Sequence, residues 1–115
     1  MSDSYAGTFI AVNATGKTIT NVTITHKCGD AKNTTSVTAS SLTPGEATPT
    51  QKLTTVSGSG DDWSVSFMMD GENTSRDGKG CDMPNEKDQT CVLILYADDF
   101  SVVTPDTSPC MHNHY

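Results

Sequence analysis

The sequence predicts an all-β protein, built as a single antiparallel β-sandwich of about seven strands. Three observations support this fold class. Residues 18–26 alternate so that Val22, Ile24 and His26 share one face, and a period of two rich in β-branched residues is typical of a half-buried strand. Turn residues separate such segments at intervals of about ten residues. No segment sustains the 3.6-residue period of a helix.

The chain divides into short segments of alternating polarity, each ended by Gly, Pro, Asn or Asp. A turn at residues 14–17, in which Gly16 can take a positive φ, is expected to join the first two strands as partners. A loop at residues 29–33 precedes the third strand, and residues 97–99 join the last two. We predict strands at residues 8–13, 18–27, 34–39, 51–56, 63–69, 90–96 and 100–104.

The core is predicted from the side chains that alternate with Trp63. Its phase with Val65 and Phe67 makes Trp63 a core residue rather than a platform for stacking a sugar ring. Residues 90–96 form the most apolar segment and are expected to be a central strand. The predicted core is Val22, Ile24, Trp63, Val65, Phe67, Val92, Ile94 and Val102.

Length and charge restrict the classes of partner. The 115 residues are enough for one domain, residues 1–115, with one core. A net charge of −7 argues against nucleic acid, because no Lys/Arg cluster is present to neutralise phosphates. No apolar run is long enough to span a bilayer, and no secretory signal is visible. We therefore expect a cytoplasmic or unconventionally secreted protein, or a mature secreted one to which Met1 was added.

The four cysteines predict two disulfides, because an even number of cysteines in a small chain rich in loops favours bridges. Cys28 and Cys91 both fall on strand positions that can face the interface between sheets, so we expect them to pair. Cys81 lies in a polar segment of twenty residues, 70–89, and Cys110 lies in the C-terminal tail; a bridge between them would staple that long loop. Four reduced thiols in a cytosolic protein are the alternative.

Three segments resemble a known family: residues 12–26, the turn at 42–45, and residues 62–67. They are similar to the up-regulated-in-Daf domain family of small fungal and nematode β-sandwich proteins, and the tail with Phe100 and Cys110 is like that of its fungal members. The resemblance implies an Ig-like or aegerolysin-like sandwich. It implies no catalytic residues.

No catalytic or metal signature emerges from the residues. The acidic pairs Asp61-Asp62 and Asp98-Asp99 could supply a glycosidase with an acid and a base, but adjacent acids beside Gly and Ser are ordinarily turn residues. Residues 70–77 lack the ligand order of a calcium loop, and the cysteines lack zinc spacing. His112 and His114 lack a third metal ligand, and no G-x-S-x-G occurs. We expect no enzyme activity, no metal and no cofactor.

Four N-x-[ST] sequons occur, and they would be glycosylated only if the chain entered the secretory pathway. Their acceptor residues are Asn13, Asn21, Asn33 and Asn73.

Polar loops at the ends of a rigid sandwich suit the hydroxyl groups of sugars. We therefore expect a non-enzymatic, fungal-type, lectin-like defence protein that binds glycans through end loops such as residues 57–62 and 70–80. One alternative is an aegerolysin-like protein that binds sphingolipid head groups, which requires Tyr5, Phe9 and Tyr96 to meet in space. Another is an immunomodulatory surface protein with no small ligand, and the oligomeric state stays open. The predicted ligand-binding residues are Asp61, Asp62, Asp70, Asn73 and Asp77.

Overall fold

The computed structural model describes residues 3–29, 33–105 and 107–115, so part of the predicted loop at residues 29–33 lies outside the description. None of these residues belongs to a helix that could cross a membrane. The strands are β1 (Ser4–Asn13), β2 (Ile19–Cys28), β3 (Thr34–Leu42), β4 (Gln51–Val56), β5 (Asp61–Met69), β6 (Glu72–Gly80), β7 (Gln89–Leu95), β8 (Asp99–Val103) and β9 (Cys110–His114).

The strands form two sheets packed as a sandwich, which confirms the predicted all-β class. One sheet has the order β4-β1-β7-β8-β9 and the other the order β3-β2-β5-β6. Neighbouring strands are antiparallel except β1 and β7, which are parallel. The chain between β1 and β7 contains the whole four-stranded sheet, which supplies the long crossover that a parallel pair needs. The expectation of a purely antiparallel sandwich is therefore wrong for this one pair.

The turn at residues 14–17 does not make the predicted hairpin. It carries the chain from β1 in one sheet to β2 in the other. Asn13 fixes this crossing: its Nδ2 donates to the carbonyl oxygens of Lys17 (2.7 Å) and Leu42 (2.9 Å), and its Oδ1 accepts from the amide of Thr15 (3.0 Å). A buried asparagine that bonds nearby backbone groups can replace hairpin pairing in this way.

The core lies between the sheets and contains most of the predicted residues. Val22, Ile24, Trp63, Val65, Phe67 and Val102 are buried as expected. The prediction that Val92 and Ile94 are core residues is wrong, because both lie half-buried on the outer side of the five-stranded sheet. β7 is a central strand with apolar residues on both faces, so alternation could not show which set points inward. The inward set is Cys91, Leu93 and Leu95.

Two strands were not predicted. β6 occupies the first half of the segment 70–89 that was expected to be a loop, and β9 lies in the C-terminal tail. Both are edge strands with mostly polar or exposed side chains, so they lack the alternation by which a half-buried strand is recognised. The other seven strands match the predicted ones within four residues at each end.

The predicted disulfides are half right. Cys81 and Cys110 form a bridge that ties the end of β6 to the start of β9. Cys28 and Cys91 are free thiols, both buried. Cys28 lies beside β4, where its Sγ accepts from the Val56 amide (3.2 Å), whereas Cys91 lies on β7, two strands away. Cys91 lies opposite Phe9, which pairs with Gln51, five residues before Val56 on β4. The two thiols are therefore separated along the strands as well as across them, and they cannot bond.

Candidate functional site

The outer side of the four-stranded sheet carries an ordered set of hydroxyl groups. Thr23 of β2 pairs with Thr38 of β3 on one side and with Ser66 of β5 on the other. Ser66 in turn pairs with Ser75 of β6. Thr23, Thr38 and Ser66 each lie between two residues that point toward the interior. Ser75 lies directly opposite Ser66, so one row of four hydroxyls crosses the whole sheet.

A second row runs beside the first. Thr25 pairs with Ser36 and with Ser64, and Asp77 of β6 completes the row. The hydroxyls of Thr25 and Ser36 are hydrogen-bonded at 2.8 Å. Within a row neighbours are about 4.8 Å apart, and the rows are separated by about 7 Å, the length of two strand residues. We call these eight residues the hydroxyl face: Thr23, Thr25, Ser36, Thr38, Ser64, Ser66, Ser75 and Asp77.

A β-bulge fixes the one charged residue of the hydroxyl face. The register of β5 with β6 shifts between Trp63 and Val65. At the shift, the Ser64 hydroxyl donates to Oδ1 of Asp77 (2.8 Å) and accepts from the Gly78 amide (3.1 Å). Gly78 has a φ of 69°, which glycine adopts without strain. One oxygen of Asp77 is thereby held in place, and Oδ2 makes no hydrogen bond among the described residues.

A shallow groove of about 160 Å³ lies in the hydroxyl face over β2, β5 and β6. Thr and Ser hydroxyls can each donate one hydrogen bond and accept others, and Thr also presents a methyl group. Arg76 borders the groove, and its Nη1 donates to the His114 carbonyl oxygen (2.9 Å). The groove therefore offers many neutral hydrogen-bonding groups beside one carboxylate.

The structure brings three of the five predicted ligand-binding residues to this side of the sheet. Asp77 belongs to the hydroxyl face, Asn73 lies at one end of it opposite Met68, and Asp62 lies at the other end opposite Gly80. Asp70 stands apart in the turn between β5 and β6, where it forms an exposed ion pair with Lys17.

Asp61 lies in the interior and not in an exposed loop, which corrects its predicted placement. β5 begins two residues earlier than expected, so Asp61 shares the phase of Trp63 and points into the interior, where its exposure is 1%. Its Oδ1 lies 2.6 Å from Nε2 of His26. Its Oδ2 accepts from the Thr55 hydroxyl (3.0 Å) and from the Met83 amide (2.8 Å). The carboxylate thus joins β2, β4, β5 and the segment after β6.

The protonation of Asp61 follows from these contacts. Burial alone raises the pKa of a carboxyl group, but hydrogen bonds from His26, from the Met83 amide and from Thr55 favour the ionised form. Together they bring the pKa of Asp61 below its ordinary value. Asp61 is therefore an ionised structural group at neutral pH.

The aromatic residues next to this pair confirm that Trp63 is a core residue. Trp63 has no exposed surface, and its Nε1 donates to the Cys81 carbonyl oxygen (2.9 Å). Its ring packs against those of His26 (4.6 Å between centroids) and Phe9 (5.4 Å). Nδ1 of His26 is buried, and no hydrogen-bond partner for it occurs among the described residues. A sugar cannot reach Trp63 to stack on it.

The end loops form a second concave region, which we call the loop cleft. It is an open cavity of about 310 Å³ lined by Gly58, Ser59, Gly60, Asp61, Asp82, Met83 and Asn85. Oδ1 of Asp82 accepts from the Asp61 amide at 3.0 Å. The first of the two loops expected to bind glycans, residues 57–62, therefore borders this cleft, whereas the second, residues 70–80, is mostly the strand β6.

The metal and acid–base candidates do not converge. Within residues 3–29, 33–105 and 107–115, no three His, Cys, Asp or Glu side chains are placed to hold a metal ion. Nδ1 of His112 lies 3.1 Å from Oδ1 of Asp99 on the surface. Asp61 and Asp62 point to opposite sides of β5, so they do not face each other across a cleft.

The hydroxyl face was not recognised from the sequence. Its signal is a hydroxyl-x-hydroxyl pattern that occurs at Thr23-Ile24-Thr25, Ser36-Val37-Thr38 and Ser64-Val65-Ser66. Each pattern was used to predict a strand. Only the pairing of β3, β2 and β5 in register places the three patterns side by side.

No family model matches the chain, and no curated protein is similar enough to count as a relative. The resemblance to the up-regulated-in-Daf domain family stays a prediction.

Proposed function

We propose that this protein is a non-enzymatic, lectin-like glycan-binding protein and that the hydroxyl face is its binding surface. The observation that carries the proposal is the registered double row of Ser and Thr hydroxyls around a groove, beside the fixed carboxylate of Asp77. A role in defence would follow from recognition of foreign glycans.

The chemistry of the groove suits neutral sugars. Each sugar hydroxyl needs a donor and an acceptor, and the hydroxyls of Thr23 and Ser66, on neighbouring strands, can supply both. The free oxygen of Asp77 can accept from a pair of adjacent sugar hydroxyls through strong, charge-assisted bonds. A net charge of −7 disfavours anionic glycans. Because no aromatic ring lines the groove, we expect weak binding of a single sugar and tighter binding of an extended glycan.

This proposal moves the binding surface from the end loops to a sheet. The loop cleft remains the competing surface, since Asp82 and Asn85 line it and could also bond sugar hydroxyls. The two surfaces share no residue, so variants can separate them.

Two arguments support binding without catalysis. On the hydroxyl face, Ser64 is hydrogen-bonded to Asp77, with no histidine lining the groove to act as its base. The carboxylates of Asp61 and Asp62 lie on opposite sides of one strand. We expect no hydrolysis of glycosidic, ester or peptide bonds.

The lipid-binding alternative has less support. It needs Tyr5, Phe9 and Tyr96 together on the surface, but Phe9 is fully buried. Tyr5 lies at the start of β1 and Tyr96 follows the end of the parallel strand β7, so they lie at opposite ends of the sheet. A surface protein with no small ligand is the remaining alternative.

A glycan array run beside liposome sedimentation tests the proposal. We expect binding to neutral glycans and none to sphingolipid vesicles. The variant Thr23→Val/Ser66→Ala should weaken glycan binding at least about tenfold, because two hydrogen bonds of roughly 1 kcal/mol each are lost.

The matched control is Thr8→Val/Thr90→Val. These two hydroxyls are also hydrogen-bonded between neighbouring strands (3.1 Å), but in the other sheet. Equal binding by both double variants, or loss only on Asp82→Ala, would contradict the role of the hydroxyl face.

A further inference from the structure

The four sequons differ in what the fold allows at their asparagines. N-linked glycosylation needs a side-chain amide that can carry a large polar group without disturbing the fold. Asn13 is fully buried, whereas Asn21 and Asn73 are exposed. Asn33 adjoins residues outside the description and plays no part in the inference.

Asn13 cannot carry a glycan in the folded chain. Its Nδ2 already donates to Lys17 and Leu42, at 2.7 Å and 2.9 Å, which uses both hydrogens of the amide. Attachment of a sugar would remove one of these bonds and place the sugar at a residue with no exposed surface. The crossing from β1 to β2 would then be lost.

The side chains of Asn21 and Asn73, by contrast, are exposed to solvent. Asn21 lies at the irregularity of β2 between Thr20 and Thr23 and has a φ of 50°. Asn73 lies on the exposed edge strand β6. Among the described residues, neither side-chain amide makes a hydrogen bond. Both lie at the same end of the four-stranded sheet, because Thr20 and Asn73 both pair with Met68.

We propose that this chain, when it folds in an oxidising secretory compartment, carries N-linked glycans on Asn21 and Asn73 and none on Asn13. The Cys81–Cys110 bridge is consistent with such a compartment, since stable disulfides are rare in the cytosol. In the transfer, the side-chain amide nitrogen forms a bond to the anomeric carbon of a lipid-pyrophosphate-linked oligosaccharide. The bond from that carbon to the pyrophosphate oxygen breaks, the lipid pyrophosphate leaves, and the amide loses one proton.

The test is expression of the full chain behind a secretory signal in a eukaryotic host, followed by peptide mapping of the secreted protein. A peptide N-glycosidase, an amidase that hydrolyses the glycosylated side-chain amide and leaves aspartate, marks the occupied sites. We expect aspartate at positions 21 and 73 and asparagine at position 13. The variants Asn21→Gln and Asn73→Gln should each lose one glycan and still be secreted.

A secreted, folded protein with a glycan on Asn13 would overturn the inference, as would a secreted protein unmodified at Asn21 or Asn73. If a fraction of the protein molecules is retained in the cell, a glycan on Asn13 that is found only in that retained fraction supports the inference. None of these readouts depends on whether the hydroxyl face binds glycans.

Discussion

The two sides of β5 differ in burial and in contacts, although their residues alternate along one strand. The inward side chains Asp61, Trp63 and Phe67 are buried and make specific contacts with both sheets. The outward side chains Ser64 and Ser66 are partly exposed and belong to the hydroxyl face. A strand with period two can thus place stabilising side chains on one side and the side chains of the proposed binding surface on the other.

The adjacent acids show the difference most clearly. Asp61 and Asp62 are chemically identical neighbours, and the sequence predicts both to be ligand-binding residues. Asp61 lies in a fully bonded site in the interior, whereas Asp62 is exposed. If the comparison holds, inward substitutions should change the free energy of unfolding, and outward ones should change only binding.

The largest expected effect is that of Trp63→Ala. The substitution leaves a large cavity and removes the hydrogen bond to the Cys81 carbonyl, so it should lower the free energy of unfolding by about 3 to 5 kcal/mol. Denaturant unfolding measures this. The control Ser66→Ala, three residues along the same strand, should change it by less than about 0.5 kcal/mol.

Loss of the Cys81–Cys110 bridge should cause the second largest decrease in the free energy of unfolding. The bridge spans 29 residues, and the chain-entropy model assigns a loop of that length about 3 to 4 kcal/mol. Cys110→Ser compared with wild type measures this effect.

In the folded protein, Cys28 and Cys91 should resist alkylation because they are buried, and burial raises the pKa of the Cys91 thiol to about 12. Rapid labelling of either thiol in folded protein would show that the interior is more open than described.

Asp61→Asn should lower the free energy of unfolding by roughly 2 to 3 kcal/mol. The new side chain has one accepting oxygen instead of two, so its NH2 group must face either Nε2 of His26 or the Met83 amide, and one hydrogen bond that the carboxylate accepts is lost at a buried site. Asp62→Asn is the matched control, and it should stay within about 0.5 kcal/mol of wild type. Equal effects of the two substitutions would contradict the division of β5 into two sides.

The pH dependence of stability should show the same division. Because the pKa of Asp61 is lowered in the folded state, its contribution is fully present above the ordinary carboxyl pKa of about 4. That contribution is lost as the pH falls from there through the lower folded value. The stability difference between wild type and Asp61→Asn should therefore shrink below about pH 4. A difference that stays constant down to about pH 2 would contradict the assignment.

Alternation in the sequence was enough to predict the strands that have one apolar face. β2 and β5 were found with the correct inward residues, because Val22 and Trp63 begin clear patterns. β7 was found with the wrong face, since both of its faces are apolar. β6 and β9 were missed because neither face is apolar enough.

Pairing between distant strands could not be predicted in the same way. The distance between Cys28 and Cys91 depends on the strand order β4-β1-β7, which alternation does not encode. The hydroxyl face likewise depends on the register between β3, β2, β5 and β6. Loop chemistry predicts Asp77 and Asn73 as ligand-binding residues, but their neighbours in the structure are set by the register between β5 and β6.

The central claim, that the hydroxyl face binds a neutral glycan, is tested most directly by nuclear magnetic resonance. The isotope-labelled protein would be titrated with a neutral glycan selected on the array. We expect the backbone amide shifts of Thr23, Thr25, Ser64, Ser66 and Asp77 to change together, and those of Thr8 and Thr90 to stay fixed. Shift changes confined to residues 57–60 and 82–85 would place the ligand in the loop cleft and contradict the claim.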